Sequence, residues 1–244
     1  MNNLKAALEY LNGDYLINAS VIDPIERASA DVLYASADCV MIKDKISDVI
    51  MLQTENMALA EELLDGLPKD TALLVAHNKE LADLVERKLG FDKRVPCYQG
   101  VYRKEPFNLP QTNLTIRLLT EDEAEDASQM YRFTKEDAIK HIRLGLVYGG
   151  FVDGRIVAMA GLHYQGSMGL LEVKPEYRRR GYGEIMEKFI INSQLKKGFA
   201  PYCQIIEDNA PSLALQSKLG LDLSKNLLYW MRKNDAEIYC EKSE

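Results

Sequence analysis

The residues best placed for chemistry form one short run, Arg178-Arg179-Arg180-Gly181-Tyr182-Gly183. It lies between an apolar stretch, Leu170-Leu171-Glu172-Val173, and a helical pattern that starts near Glu184. Ile185, Met186, Phe189 and Ile190 recur at helical spacing, so one face of that helix is built for burial. The first N–H groups of a helix have no intrahelical partner and lie at the positive end of its dipole, which suits an anion. Gly181 and Gly183 remove the side chains that would hold a phosphate away from those amides. The three arginines add positive charge, and the chemistry implied is capture of a diphosphate. Two glycines two apart also serve ordinary tight turns, so the pair does not decide by itself. A dinucleotide-binding Gly-x-Gly-x-x-Gly is a poor match, because the third glycine position is Met186.

The elements around this run alternate between strand and helix. Leu4, Ala7, Leu8 and Leu11 mark a first helix that ends at Asn12-Gly13, and Asp23-Pro24 opens a short turn over 25–30. Three strands follow at 31–34, 39–42 and 49–52, then a helix whose stripe runs from Met57 to Leu67 and stops at Pro68. Strand 71–76, a helix capped by Asn78 and ended by Gly90, and strand 95–102 close the first half. Glu105 to Pro110, with two prolines and no periodicity, reads as a linker. The second half restarts with strand 115–119, an acidic helix over 120–131 and a helix capped at Thr134. A hairpin turns across Asp153-Gly154. The Leu170–Val173 strand and its helix come next, then strand 202–206, a helix from Pro211 to Gly220 and a last strand over 227–231.

The halves repeat each other. Asn78, Lys88-Leu89-Gly90-Phe91-Asp92 and Arg103-Lys104 recur as Asn209, Lys218-Leu219-Gly220-Leu221-Asp222 and Arg232-Lys233. Shared element order together with a shared helix terminus indicates two copies of one α/β unit. Their chemistry differs. The strand at 49–52 runs into Gln53-Thr54-Glu55-Asn56, with no glycine pair and no arginine, and Glu55, Glu61 and Glu62 would repel a diphosphate.

The net charge of −7 argues against a general binder of nucleic acid or of a membrane surface. Arg178 to Arg180 stand out as a basic island on an acidic chain. Cys39, Cys97, Cys203 and Cys240 are scattered, form no Cys-x-x-Cys pair and do not cluster with His77, His141 or His163, so no metal site is expected. There is no signal-peptide pattern at the start and no apolar run of the ~20 residues a membrane span needs. A cytoplasmic protein is the expectation, as monomer or homodimer.

Arg178-x-x-Gly181-x-Gly183 directly after Val173-x-Pro175-Glu176-Tyr177, with an amphipathic helix behind it, resembles the acyl-CoA signature of the GNAT acyltransferase superfamily. The resemblance covers most of residues 114–233. It implies an α/β fold (α+β in some schemes) of two GNAT-like units, each a mixed, mostly antiparallel sheet flanked by helices. It divides the chain into a degenerate unit over 1–105, a linker over 106–112 and an acetyltransferase unit over 113–244. That tandem arrangement is similar to the glycine N-acyltransferase-like branch. By the same resemblance, residues Arg178, Arg179, Arg180, Gly181, Tyr182 and Gly183 would hold the diphosphate of acetyl-CoA or another acyl-CoA. The edge at Leu171 and Val173 would pair with the pantetheine arm, splayed from strand 202–206. Asn209 and Ser212 would reach the pantetheine or the sulfur, although Asn209 reads equally as a helix cap and Ser212 as a surface hydroxyl.

The implied reaction is attack of an amine, on a small molecule or a peptide, upon the thioester. It needs a base, an oxyanion donor and an acid for the thiolate. The tyrosine common in the family four residues before the helix-ending glycine is Gln216 here, which cannot act as an acid near neutral pH. A glutamate base found in some members is replaced by Gly169, and the aromatic after the helix-ending glycine by Leu221. Candidate replacements are Glu172 and His163, then Tyr164 and Glu207. Glu172 lies on the central strand but alternation can turn it away, and a lone histidine is more often structural. Tyr229 and Trp230 read as core or pocket wall. The rival reading is a non-catalytic CoA-binding sensor or docking module; a nucleotide-phosphate binder is a third.

Overall fold

The computed structural model describes residues 2–131 and 133–233. Cys240 lies outside the described residues. The chain forms two compact units. Of the described residues, the first takes 2–101, Gln204–Ser217 and 221–233; the second takes Tyr102–Cys203 with Lys218–Gly220.

In the first unit, α1 (Asn2–Asn12) and α2 (Tyr15–Glu26) precede β1 (Ala30–Ala35), β2 (Cys39–Asp44) and β3 (Ile50–Thr54). Then come α3 (Met57–Asp65), β4 (Leu73–Ala76), α4 (Lys79–Leu89) and β5 (Lys93–Val101). Strand alternation sorts the core into two faces. Val40, Ile42, Met51 and Val75 pack with Ala7, Leu11, Val21 and Ile22 of α1 and α2. Cys39, Met41, Leu52 and Leu74 pack with Ala60, Leu64, Leu81 and Val85 of α3 and α4. The strands run in the order β1-β2-β3-β4-β11-β5, where β11 is Asp222–Arg232, and only β3–β4 is parallel.

The second unit begins with β6 (Thr115–Leu118), a short 3-10 turn over Glu121–Glu123, α5 (Ala124–Met130) and α6 (Lys135–Arg143). β7 (Val147–Val152), β8 (Arg155–Leu162), β9 (Met168–Val173) and α7 (Tyr182–Lys196) follow. β6 to β9 form an antiparallel meander. The β7–β8 turn has positive φ at both Asp153 (48°) and Gly154 (74°), the conformation that matches the right-handed twist of a hairpin. β10 (Tyr202–Ile206) starts in this unit, bridged in parallel to β9, and α8 (Ala210–Leu219) follows. The linker is strapped to α7: Asn192 Nδ2 donates to the Phe107 carbonyl and Asn192 Oδ1 accepts from the Phe107 amide, each at 2.8 Å.

Each unit is thus mixed α/β with mostly antiparallel pairing and flanking helices, as expected. The grouping in space departs from the expected 1–105, 106–112 and 113–244 division. β11, the last strand of the second repeat, is built into the first unit between β4 and β5. It pairs with β5 from Asp222↔Val101 to Arg232↔Lys93, so the equivalent strands of the two repeats lie antiparallel side by side. The reason is apolar matching on both faces of β11. Leu228 and Trp230 join the α1–α2 core, and Met231 joins the α3–α4 core. The second departure is α2, where the sequence pointed only to a turn over 25–30. Every residue from Ile17 to Pro24 is buried, so the segment has no amphipathic signature, and Pro24, which removes one i→i−4 bond, falls close to the end at Glu26, where little helix follows it.

Leu228 is 0% exposed. Leu228→Ala is therefore expected to cost about 2–5 kcal/mol, against about 0.5 kcal/mol or less for Leu109→Ala at an exposed linker position. Urea unfolding followed by Trp230, the single tryptophan, checks this in the unit that holds it.

Candidate functional site

The candidate site is the β9–turn–α7 passage of the second unit. β8 and β9 pair through Met159↔Glu172 and Gly161↔Gly169, with a register shift between, so Ala160 alone faces both Leu170 and Leu171. Leu170 takes up the extra residue with φ of 56°, a left-handed backbone that a leucine adopts at a cost of about 1–2 kcal/mol. Its side chain, 1% exposed, is held in the core. Beyond this bulge, Glu172 and Val173 pair with Met159 and Ala158 of β8, while among the described residues the ladder to β10 consists of the single pair Met168↔Cys203. The other edge of β9 is left open over its last residues. The first repeat contrasts with this: β2–β3 carries no bulge, and β3–β4 stays paired from Ile50↔Leu74 to Leu52↔Ala76.

After Val173 a 3-10 turn over Pro175–Tyr177 leads to the basic run. Gly181 is the N-cap of α7 with φ 80° and ψ 0°; open space surrounds its Cβ position, so the dihedral rather than crowding calls for glycine. The first backbone bond of the helix runs from Ile185 N to Gly181 O, which leaves the amides of Tyr182, Gly183 and Glu184 without an intrahelical acceptor. A Cβ on Gly183 would lie 3.6 Å from Val173 Cγ2 and 3.8 Å from Leu171 Cδ2, so these two side chains form the floor under the helix terminus. The Tyr182 ring is buried and its hydroxyl donates to Asn113 Oδ1 at 3.0 Å, so only its backbone faces the turn. Glu184 is held between Lys188 and Lys218, whose hydrogen bonds keep its carboxyl below the usual range.

The arginines are not equivalent. Arg178 folds back on the strand, its Nη2 donating to Glu172 Oε1 at 2.8 Å and its Nε to the Val173 carbonyl at 3.0 Å. Arg180 donates to the Glu176 carbonyl and lies 5.0 Å from the centre of the Tyr177 ring. Arg179 is exposed, has φ of 59° and forms no ion pair among the described residues.

The candidate catalytic groups fare differently. Glu172 projects from the opposite face to Leu171 and Val173, and its carboxylate is engaged by Arg178. His163 is 8% exposed and its ring packs directly on Gly169, where any Cβ would collide with Nε2. Burial, with the charge of nearby His141 second, lowers its pKa to about 3. So perturbed, the imidazole is a poor acceptor for an ammonium proton at neutral pH. Tyr164 stacks on His141 with centroids 4.0 Å apart. Glu207 is exposed. Gln216 is 4% exposed, and its Oε1 has no hydrogen-bond partner among the described residues.

Asn209 and Ser212 belong to the first unit. Asn209 Oδ1 accepts from Ser212 N at 3.1 Å, so the cap reading holds for that oxygen. In the same unit, a cavity of about 680 Å³ lies at the N-terminus of α4 beside Asn78, with Glu55 and Glu80 but also Lys79 and Lys225 on its wall. Among the described residues no group of His, Cys, Asp and Glu could hold a metal ion, and no helix is long and apolar enough to cross a membrane. Sequence reasoning missed the Leu170 bulge and the Glu172–Arg178 pair, since neither has a local composition signal.

Residues 143–231 match the family described as FR47-like protein. No curated protein matches the chain. Among solved structures, a Drosophila protein from a structural-genomics programme is 14% identical with a TM-score of 0.68, covering 97% of each chain. A GCN5-related N-acetyltransferase-like protein from Streptococcus suis is 17% identical with a TM-score of 0.55, covering 93% of this chain and 100% of its own. A tandem GNAT protein from the clavulanic acid biosynthesis pathway is 13% identical with a TM-score of 0.53, covering 93% and 89%.

The buried histidines set an acid limit on stability. His163 is lowered to about 3 and His77 to about 4, both chiefly by burial. Each stays neutral in the fold but is protonated below about pH 6.5 once unfolded, so its contribution is present above that pH and is lost as pH falls. At pH 5 the loss is about 2 kcal/mol per histidine. Asp23 acts in the opposite sense: burial raises it to about 6, so it returns about 1 kcal/mol over the same interval. The histidines win, and Tm is expected to fall between pH 7 and pH 5, with a flatter slope in His163→Gln.

Proposed function

We propose, on the premise that this chain carries the fold of the GNAT superfamily with an FR47-like stretch over residues 143–231, that it is an acyl-CoA-dependent N-acyltransferase whose second unit holds the acyl-CoA. One observation carries this reading: an open β9 edge at Leu171–Val173 runs straight into a glycine turn with free helix amides. A pantetheine arm has the amide spacing to pair with such an edge, and the Tyr182, Gly183 and Glu184 amides, with Arg179 beside them, suit a diphosphate. The bound thioester supplies an electrophilic carbonyl. An amine attacks it, the C–N bond forms as the C–S bond breaks, the ammonium proton leaves to a base and the thiolate gains a proton. Acetyl-CoA is the proposed donor and a small-molecule or peptide amine the acceptor.

The first repeat would then be a degenerate partner in a tandem chain. Its β3–β4 ladder is closed where β9 is open, and the equivalent helix, α3, starts after Glu55-Asn56 with neither a glycine pair nor an arginine. The second reading, a CoA-binding module without catalysis, is favoured by the engaged Glu172 and the weakly basic His163.

Thermal-shift titration with acetyl-CoA, CoA and ATP tests the assignment. A ligand at 100 times its Kd stabilises the folded state by about 2.7 kcal/mol, so the CoA species are expected to raise Tm and ATP to raise it less. Gly183→Glu should fold, since its Cβ meets only ordinary contacts, yet lose the shift because a carboxylate then sits at the helix amides. No shift with acetyl-CoA on the unmodified chain would overturn the reading.

A further inference from the structure

Glu172 has the residue type of a base, but its surroundings describe another task. Its carboxylate takes the Arg178 Nη2 at 2.8 Å while the Val173 carbonyl takes Nε of the same guanidinium at 3.0 Å. Two adjacent acceptors on one strand therefore grip two donors on one planar fork, which fixes both the position and the tilt of the guanidinium. Arg178 is also the C-cap residue of the Pro175–Tyr177 turn, three residues before the N-cap of α7. Fixing its side chain on β9 ties the whole connection from strand to helix to the strand that carries it. At its start Lys174 is tied by its N to the Val157 carbonyl of β8 and by its Nζ to Asp126 at 3.8 Å. Further on, Tyr177 N bonds Lys174 O, Arg178 N bonds Pro175 O and the Arg180 side chain bonds Glu176 O, all within the turn itself. None of these reaches across to β9.

Exposure separates geometry from stability here. The Arg178 side chain is 58% exposed and that of Glu172 22%, and ion pairs this open add little to global stability. What the pair can do is hold local geometry, and the geometry it holds is that of the amides at Gly181 to Gly183. We propose that Glu172 is a positioning residue: with the Val173 carbonyl it latches Arg178 onto β9 and so pre-forms the anion-binding turn, and it takes no proton from the substrate. This rests on the acyl-CoA reading above for the identity of the anion, but the latch itself does not.

Three variants separate the alternatives. Glu172→Gln keeps an acceptor oxygen in place, Glu172→Ala removes it, and Arg178→Met removes the donor. Amide hydrogen exchange of residues 174–183 is measured first, with no ligand present. The latch predicts faster exchange in Glu172→Ala and Arg178→Met, near-native exchange in Glu172→Gln, and Tm close to that of the parent in all three. Unchanged exchange in Glu172→Ala overturns the latch, whatever the protein binds. CoA binding is then measured by calorimetry. The expected result is a Kd raised about tenfold in Glu172→Ala, within about threefold of the parent in Glu172→Gln, and no worse in Glu172→Ala/Arg178→Met than in either single variant. If instead Glu172→Gln and Glu172→Ala bind CoA like the parent but both lose kcat by about a hundredfold or more, Glu172 is the base and the proposal falls. If exchange behaves as expected but the parent chain binds no CoA, the latch stands and it is the acyl-CoA reading that falls.

Discussion

The second unit depends on one backbone accommodation, the extra residue in β9 that places Leu170 in a left-handed conformation. A strand whose edge N–H and C=O groups go unpaired is unfavourable unless water or another chain meets them. The bulge forces that outcome on Leu171 to Val173, and the buried Leu170 side chain keeps it from relaxing. The open edge, the floor that Leu171 and Val173 make under Gly183, and the direction in which the chain enters α7 all follow from it.

The two repeats share what a helix end needs and differ at the turn. Both repeats cap their last helix with an asparagine whose side chain accepts a backbone amide, and both end that helix on a glycine with positive φ, Gly90 at 66° and Gly220 at 80°. Each of these features satisfies a helix terminus, a requirement independent of any ligand. The Leu170 bulge and the glycine pair have no such local use, and β3 with its passage into α3 carries neither. There the ladder is closed instead, with β3 and β4 paired from Ile50↔Leu74 to Leu52↔Ala76.

Charge at the turn is more structured than three consecutive arginines suggest. Arg178 and Arg180 are bonded to the protein, Glu184 is balanced by two lysines, and Arg179 is left facing outward. A basic run of this kind divides its labour: some of the cations hold the loop so that backbone amides and a remaining cation can meet an anion. The same economy explains His163, whose ring fills the space that Gly169 leaves and which burial keeps uncharged.

Much of this was legible in the sequence because it is set by nearest neighbours. The caps at Asn78, Thr134 and Asn209, the Asp153-Gly154 turn, the glycine pair and the repeat are all consequences of dihedral preference and of hydrogen bonds within a few residues. Helix α2 escaped because a helix buried on every side has no periodicity to read. Three decisions belonged to the tertiary structure alone. The placement of β11 between β4 and β5 depends on two faces of one strand matching two separate cores. The left-handed Leu170 depends on the register of β8 opposite it. The engagement of Glu172 depends on how a turn folds back on its strand. Each joins residues through space rather than along the chain, so the amino-acid order specified the parts and the packing specified which of them are free to bind.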